Sequence, residues 1–400
     1  MKKTRLTMLL ALTMLIALCL AACGGEKAPE KTAAPTGNAQ TEKNGDAAQA
    51  NAINPDEYEL IDVAHFDRTF DVDVSKLGTY TLDLSTHDPS TSMKCMFLEE
   101  WARLVREASG GGIDITVYNG GTLASPAEAL AAAEMGTADM AWIIASNFAD
   151  QLPATGMFYL PGLQLEYIPR DCSIMWDLYE KYPAFEQDYT RNNLKLLHMY
   201  TTGTTGVYGP EVRSLADLKG KNIRTLGGYA SDMISLLGAS PISMGPGDMY
   251  DALSKNVIDG YTIEWSGVKT YRVYEVTKWY NMDNLYTSPM ALIMNLDSYN
   301  ELPEEYREII DYYSGREMSL QMAYLWDREN SDAMAEYSEP SQILHYSDYD
   351  KVLEVLCGYS SRMAESLKTD EFDAVAFYND ILDSVKSYDE SDWSYYREQQ

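Results

Sequence analysis

Glu128 to Ile143 reads EALAAAEMGTADMAWI, and Asp248 to Ile263 reads DMYDALSKNVIDGYTI. Each is a helix turned by Gly136 or Asn256 into a strand that carries an Asp, Asp139 or Asp259, near its start. Upstream of the first copy, Tyr80, Leu82 and Leu84 alternate with Thr81, Asp83 and Ser85, the period of a half-buried strand that ends at His87-Asp88-Pro89. Met93, Phe97, Trp101, Leu104, Val105 and Ala108 then share one helical face, opening behind Ser90-Thr91-Ser92 and stopping at Gly110-Gly111-Gly112. Ile113 to Tyr118 is the next strand, Ser125 to Gly136 the next helix, and Met140 to Ile144 closes a β-α-β-α-β unit. The same order surrounds the second copy: strand Asn222 to Leu226, helix Tyr229 to Leu237, strand Ala239 to Met244, helix Asp248 to Lys255, strand Val257 to Ile263.

Two such units predict an α/β chain of two lobes, each with a mostly parallel sheet flanked by helices. Ligands of such sheets lie beyond the carboxyl ends of the strands, so facing lobes make a cleft. Met290 to Met294 reads as a strand returning to the first lobe. Pro303 to about Tyr337 reads as one long helix, interrupted only by Gly315, that braces both lobes. Amphipathic helices at Asp350 to Leu367 and Phe372 to Val385 follow. The expected limits are 79–204 plus 290–330 for lobe I, and 205–289 plus 331–400, with the C-terminal helices, for lobe II.

The N-terminus has a different logic. Lys2, Lys3 and Arg5 precede an apolar run from Leu9 to Leu20, and Leu20-Ala21-Ala22-Cys23 follows as a small-residue cleavage site, which predicts a signal peptide over 1–22. The run is short for a permanent span, and no later stretch approaches the ~20 apolar residues such a span needs. LAAC before Gly24-Gly25 resembles a bacterial lipobox, making Cys23 the acylated start of the mature chain. Residues 23–55 are nearly devoid of apolar side chains and predict a flexible tether to the membrane.

Composition narrows the function. A formal net charge of -30 excludes nucleic acid as a partner, because phosphate contacts need clustered Lys and Arg. The four His have no metal-site spacing, and no GxGxxG, Walker loop or GxSxG elbow is present, so no metal or cofactor is expected. Cys95, Cys172 and Cys357 make no disulfide framework and are expected as buried thiols.

Among candidate binding residues Arg224 leads. It lies in a strand, Gly227-Gly228 follow, and a helix begins at Tyr229; helix amides and a planar guanidinium together suit a carboxylate, although this segment by itself equally allows an ordinary strand Arg paired with a neighbouring acid. His87 and Asp88 end the first strand and point toward the cleft. Asn147 lies just beyond the strand ending near Ile144. Trp265, after the last strand of the second unit, is expected in the pocket, with Tyr229 and Tyr261 as further flat apolar walls.

Gly120-Gly121-Thr122-Leu123, Gly136-Thr137-Ala138-Asp139-Met140, Leu160-Pro161-Gly162, Ser214-Leu215-Ala216-Asp217-Leu218-Lys219-Gly220-Lys221-Asn222-Ile223-Arg224, Gly238-Ala239-Ser240-Pro241, Asp248 to Leu253 and Val257-Ile258-Asp259-Gly260 occur in this order. Through them the chain, from Tyr80 through Trp265 and more loosely to its end, resembles the solute-binding subunits of tripartite ATP-independent periplasmic (TRAP) transporters, the dicarboxylate-binding-protein family. The resemblance implies a two-lobed periplasmic-binding-protein-like fold, a ligand carboxylate held by Arg224, hinge closure, and delivery to the membrane subunits of a TRAP permease. Many members have a second Arg where Thr204 stands here, an Asn where Ile263 stands, and an aromatic near Pro246 and Gly247. Many also use an acid near Glu128, although Glu128, three residues after Ser125, suits a capping box better than a ligand contact. These departures leave a less polar site and point to a monocarboxylate with an apolar or aromatic body. Two other readings remain open on the sequence: a secreted hydrolase using two cleft carboxylates, and a lipoprotein that reports ligand to a membrane sensor.

Overall fold

The computed structural model describes residues 60–390. The signal peptide, Cys23 and the tether at 23–55 lie outside the described residues. Along the chain come β1 (Tyr80–Ser85), α1 (Met93–Ala108), β2 (Ile113–Tyr118), α2 (Ala129–Glu134), β3 (Met140–Ile144), α3 (Ile168–Lys181), α4 (Pro183–Thr190), β4 (Leu194–Thr201) and β5 (Gly206–Gly209). Then follow β6 (Asn222–Thr225), α5 (Gly228–Leu236), β7 (Ser240–Ser243), α6 (Met249–Ser254), β8 (Gly260–Ile263), α7 (Trp265–Thr270), β9 (Trp279–Asn281) and β10 (Pro289–Asn295). The chain goes on through α8 (Glu304–Tyr312), α9 (Gly315–Tyr337), β11 (Ile343–Leu344), α10 (Tyr349–Leu367) and α11 (Ala374–Glu390).

Two sheets form, in the orders β2-β1-β3-β10-β4 and β11-β9-β5-β8-β6-β7. Each contains one of the β-α-β-α-β units as a parallel trio, β2-β1-β3 and β8-β6-β7. Antiparallel strands extend both trios: β10 between β3 and β4, and β5 between β8 and β9. The two trios are built by the same local devices. Gly136 and Asn256 take positive φ, +67° and +54°, to end their helices. Asp139 and Asp259 then use their carboxylates to accept the backbone N–H of Asp83 (2.8 Å) and Asn222 (2.7 Å), on the neighbouring strand of each trio.

The chain crosses between sheets in two adjacent ribbons, 202–205 and 284–288. They are laced together by Thr202 N–H to Ser288 O (3.1 Å), Ser288 N–H to Thr202 Oγ1 (3.2 Å) and a bridge between Thr205 and Tyr286. The third connection is α9, which packs on α3 and β4 of the first lobe and on α7 of the second. It is not one helix with α8, as the sequence pattern suggests. α8 ends at Tyr312, and α9 starts afresh at Gly315, whose φ of +76° breaks the helical path.

Two further expectations change. Helix α2 begins at Ala129 rather than Ser125, and the capping box does not form, because Ser125 Oγ donates to the Glu128 carboxylate (2.6 Å) in the preceding turn. The C-terminal helices were expected with lobe II, yet α11 packs on α3 of the first lobe. Phe377 meets Phe158, Tyr182 and Phe185 there in an aromatic cluster. Helix α10 lies between, its Tyr359 Oη donating to Asp232 on α5 (2.7 Å). Cys95, Cys172 and Cys357 are free thiols, the first two buried. Residues 60–78 run along α8 and α9, held by Phe66 stacked on Tyr313 (5.5 Å) and the Arg68–Glu308 pair (2.7 Å). No helix among the described residues is long and apolar enough to cross a membrane.

Candidate functional site

The carboxyl ends of both parallel trios open on one inner cavity of about 50 Å³. From the first lobe come His87 and Asp88 after β1, and Ile144 at the end of β3; from the second come Arg224 in β6, Pro246 after β7, and Glu264 after β8. The crossing ribbons contribute Thr202, Thr205, Tyr286 and Ser288, and α9 contributes Trp326. Ile144, Leu226 and Pro246 also line an outer cavity of about 540 Å³, so the two spaces adjoin.

Arg224 is 1% exposed and is held by neutral groups. Its Nε donates to Met244 O (3.1 Å) and its Nη1 to Thr262 O (2.9 Å), while Nη2 has no partner among the described residues. The two carbonyls orient the guanidinium, and its remaining edge is left over. Burial pulls the pKa of Arg224 down, opposed by Tyr286 and Tyr159. Thr262, whose carbonyl holds Nη1, is itself fixed by hydrogen bonds to Arg224 O (3.2 Å) and Tyr286 Oη (2.7 Å).

Two acids line the same space. Asp88 is 2% exposed, with His87 Nε2 at 3.9 Å from its carboxylate. Burial holds the His87 imidazole below its usual range, although Asp88 and the Trp142 carbonyl favour the charged form. Glu264 is 9% exposed, and burial raises its pKa against the pull of Lys94.

Lys94, at the start of α1 and 3% exposed, also faces this cavity, but its ammonium is engaged. It donates to Ser266 Oγ, to Thr270 Oγ1 (3.3 Å) and to Glu329 (3.4 Å), and lies 5.0 Å from the centre of the Trp326 ring. Burial acts to lower its pKa; Glu329, Asp88 and Glu264 outweigh that and hold it above the usual value. Glu329 in turn accepts from Ser266 Oγ (2.6 Å), and the neighbouring Asn330 links Ser266 N–H (2.7 Å) to Thr202 O (3.1 Å). The group ties α1, α7, α9 and a crossing ribbon together.

Arg224, His87 and Asp88 therefore meet in the inner cavity, while Asn147 and Tyr229 line the outer one. Four expected contacts fall elsewhere. Trp265 begins α7 and sits in the second-lobe core, 4.5 Å from the Tyr280 ring, with Nε1 donating to Met282 Sδ (3.2 Å). Tyr261 likewise faces the core, bonded to Thr277 (2.7 Å); side chains alternate along β8, so Thr262 and Glu264 point to the cavity instead. Thr204 lines neither cavity, although Thr202 and Thr205 line the inner one; Glu128 is turned to Ser125 beside the outer one. The helix amides expected beside Arg224 are displaced too: Gly227 N–H is taken by Thr225 Oγ1 (3.2 Å), and Gly228 lines the outer cavity.

Lys94, Glu264, Tyr271, Tyr286 and Trp326 were missed. For Glu264 the signal was present, since it follows β8 as Asp88 follows β1. Lys94 shows only as a charge amid an apolar helix face. Among the described residues no cluster of His, Cys, Asp and Glu is arranged to hold a metal ion.

The chain is 24% identical over 228 residues to an uncharacterized protein, YiiZ, of Salmonella typhimurium, covering 56% of this chain and 69% of the relative. Its fold is similar to that of a TRAP solute-binding protein from Rhodoferax ferrireducens solved with copurified benzoate, with a TM-score of 0.69, 23% identity, and 78% of this chain and 99% of that one covered. It is also similar to a TRAP periplasmic solute-binding protein from Bordetella bronchiseptica with bound mandelate, with a TM-score of 0.69, 22% identity, and 77% and 99% covered. The model of the bacterial extracellular solute-binding proteins, family 7 (DctP), matches residues 84–353, a span that includes every residue of the inner cavity, and the chain belongs to that family.

Proposed function

We propose that this chain captures a small organic monocarboxylate between its lobes, with Arg224 as the anchor for the carboxylate. The observation that carries this reading is the bare Nη2 of a guanidinium that is buried, oriented by two carbonyls and without an ion-pair partner among the described residues. A carboxylate supplies an acceptor with the matching charge, and in a site screened from water that contact is stronger than it would be in solvent. The apolar walls Ile144, Leu226, Pro246 and Trp326 favour an apolar or aromatic body, in keeping with the benzoate and mandelate found in structures of similar fold.

Capture proceeds by hinge closure: the ribbons at 202–205 and 284–288 bend, the lobes meet over the ligand, and water is excluded. His87 and Asp88 would contact the ligand from the first lobe, with Asn147 and Tyr229 at the mouth. The closed form is delivered to the membrane subunits of a TRAP permease, and acylation of Cys23 keeps the receptor at the cell membrane. The family is one of binding proteins and not of enzymes, and the hydrolase reading is not favoured. Thermal shift and calorimetry with benzoate, mandelate, 2-oxoacids and uronates test the proposal. Binding of one class, weakened by about 100-fold in Arg224→Gln, is expected; failure of every acid to raise the melting temperature overturns it.

A further inference from the structure

The inner cavity holds more acid than a plain carboxylate receptor needs. Lys94 and Glu329 compensate each other within the joint, bonded to one another and both to Ser266. What remains facing the space is one cation, Arg224, and two buried carboxyl groups, Asp88 and Glu264. The only ion-pair contact of Asp88 is the long one to His87, and Glu264 makes none among the described residues. A ligand bearing only a carboxylate would bring a third acid to a single free cation. A ligand with a carboxylate at one end and a nitrogen-borne positive charge at the other adds no net charge to the space: its anion takes the free edge of Arg224, and its N–H donors reach the acids.

We infer that the solute is zwitterionic, a carboxylate bound by Arg224 that also carries an ammonium or amidinium group recognised by Asp88 and Glu264. This rests on the carboxylate reading above and adds a second recognition site to it. It joins two kinds of observation: a guanidinium nitrogen with no partner, and two carboxyl groups from opposite lobes that close on the same cavity. Because one acid follows β1 and the other follows β8, a positive group between them draws the lobes together, so recognition and closure become one event. Burial raises the proton affinity of Glu264, and the pull of Lys94 and Arg224 does not offset it.

The test uses acids matched in skeleton. Phenylacetate, mandelate and phenylglycine differ only in an α hydrogen, hydroxyl or ammonium; 4-methylbenzoate and 4-(aminomethyl)benzoate place the charge far from the carboxylate. Dissociation constants are measured by calorimetry on the purified protein. In at least one set the ammonium member is expected to bind about tenfold tighter or more than its uncharged counterpart, the scale of one charge-assisted hydrogen bond. Asp88→Asn and Glu264→Gln are each expected to shrink that preference. Equal or weaker binding of the ammonium member in both sets, with the plain acids still bound, overturns the inference and leaves the proposed function standing. If none of the five acids binds, the inference falls, and the wider acid panel decides the proposed function. The comparison within the unmodified protein decides the matter even if a variant fails to fold.

Discussion

Lys94 and Arg224 are both buried cations at one cavity, from opposite lobes, and their surroundings differ in kind. Lys94 sits among Ser266, Thr270 and Glu329, over the ring of Trp326. Arg224 is held by two backbone carbonyls and keeps one nitrogen bare. A charge compensated within the protein knits elements together, and here it joins α1, α7 and α9. A charge oriented by neutral groups stays uncompensated, and leaving such a donor buried and unmade costs about 1–3 kcal/mol. That cost is recovered when something from outside supplies the acceptor. The contrast separates a structural joint from the proposed binding anchor at two residues that the same burial would otherwise make look alike.

The sharpest way to break this contrast is Glu329→Leu. It removes the acid bonded to the buried Lys94 ammonium, leaving the Ser266 and Thr270 hydroxyls as its hydrogen-bond partners, and is expected to lower unfolding stability by about 3–5 kcal/mol in chemical denaturation. Adding Lys94→Met should restore much of the loss, because both charges are then gone; a double-mutant cycle reads the coupling. Next in size, Arg224→Gln should weaken binding of whichever acid the protein takes by about 100-fold, near 3 kcal/mol, while lowering unfolding stability far less than Glu329→Leu does. If the two variants were equally unstable, Arg224 would be a structural cation and the distinction would fail.

Glu264 feels both cations and offers a subtler probe. Its folded pKa is raised above the usual value by burial, against the pull of Lys94 and Arg224. The folded state therefore keeps this proton to higher pH than the unfolded chain does. The group contributes a loss of stability as pH rises from the ordinary carboxyl range through the raised value. In the Glu264→Gln variant that decline should be absent from stability measured against pH. The smallest effect belongs to a surface control: Arg103, paired with Glu100 and Glu107 on the exposed side of α1, should cost less than about 1 kcal/mol when changed to Ala, because solvent screens such pairs.

Legibility in the sequence followed how local the physics was. The helix-to-strand turns at Gly136 and Asn256 and the Asp residues three places later were readable because neighbouring residues set them. The same holds for the start of α1, where Ser92 Oγ accepts Cys95 N–H (3.1 Å) and the preceding Ser/Thr run marks the cap. Arg224 was legible because a charge inside a strand, followed by two glycines, is unusual by itself. Trp265 misled because an aromatic just past a strand suits a pocket wall and a core equally. What decided was Met282, with Tyr208 and Tyr280, on the strands that pack beside it. Lys94 was invisible for the same reason, since its partner Glu329 lies 235 residues away.

From sequence alone came the two β-α-β-α-β units, their order, the cleft at their strand ends and the cation in β6, because backbone periodicity and turn chemistry act over a few residues. Tertiary structure decided which charges are compensated and which are left open, where α10 and α11 dock, and that the long helical stretch is two helices with α9 as the brace. Those outcomes depend on groups brought together from distant parts of the chain, and only burial in a shared space makes an ion pair, or the lack of one, matter.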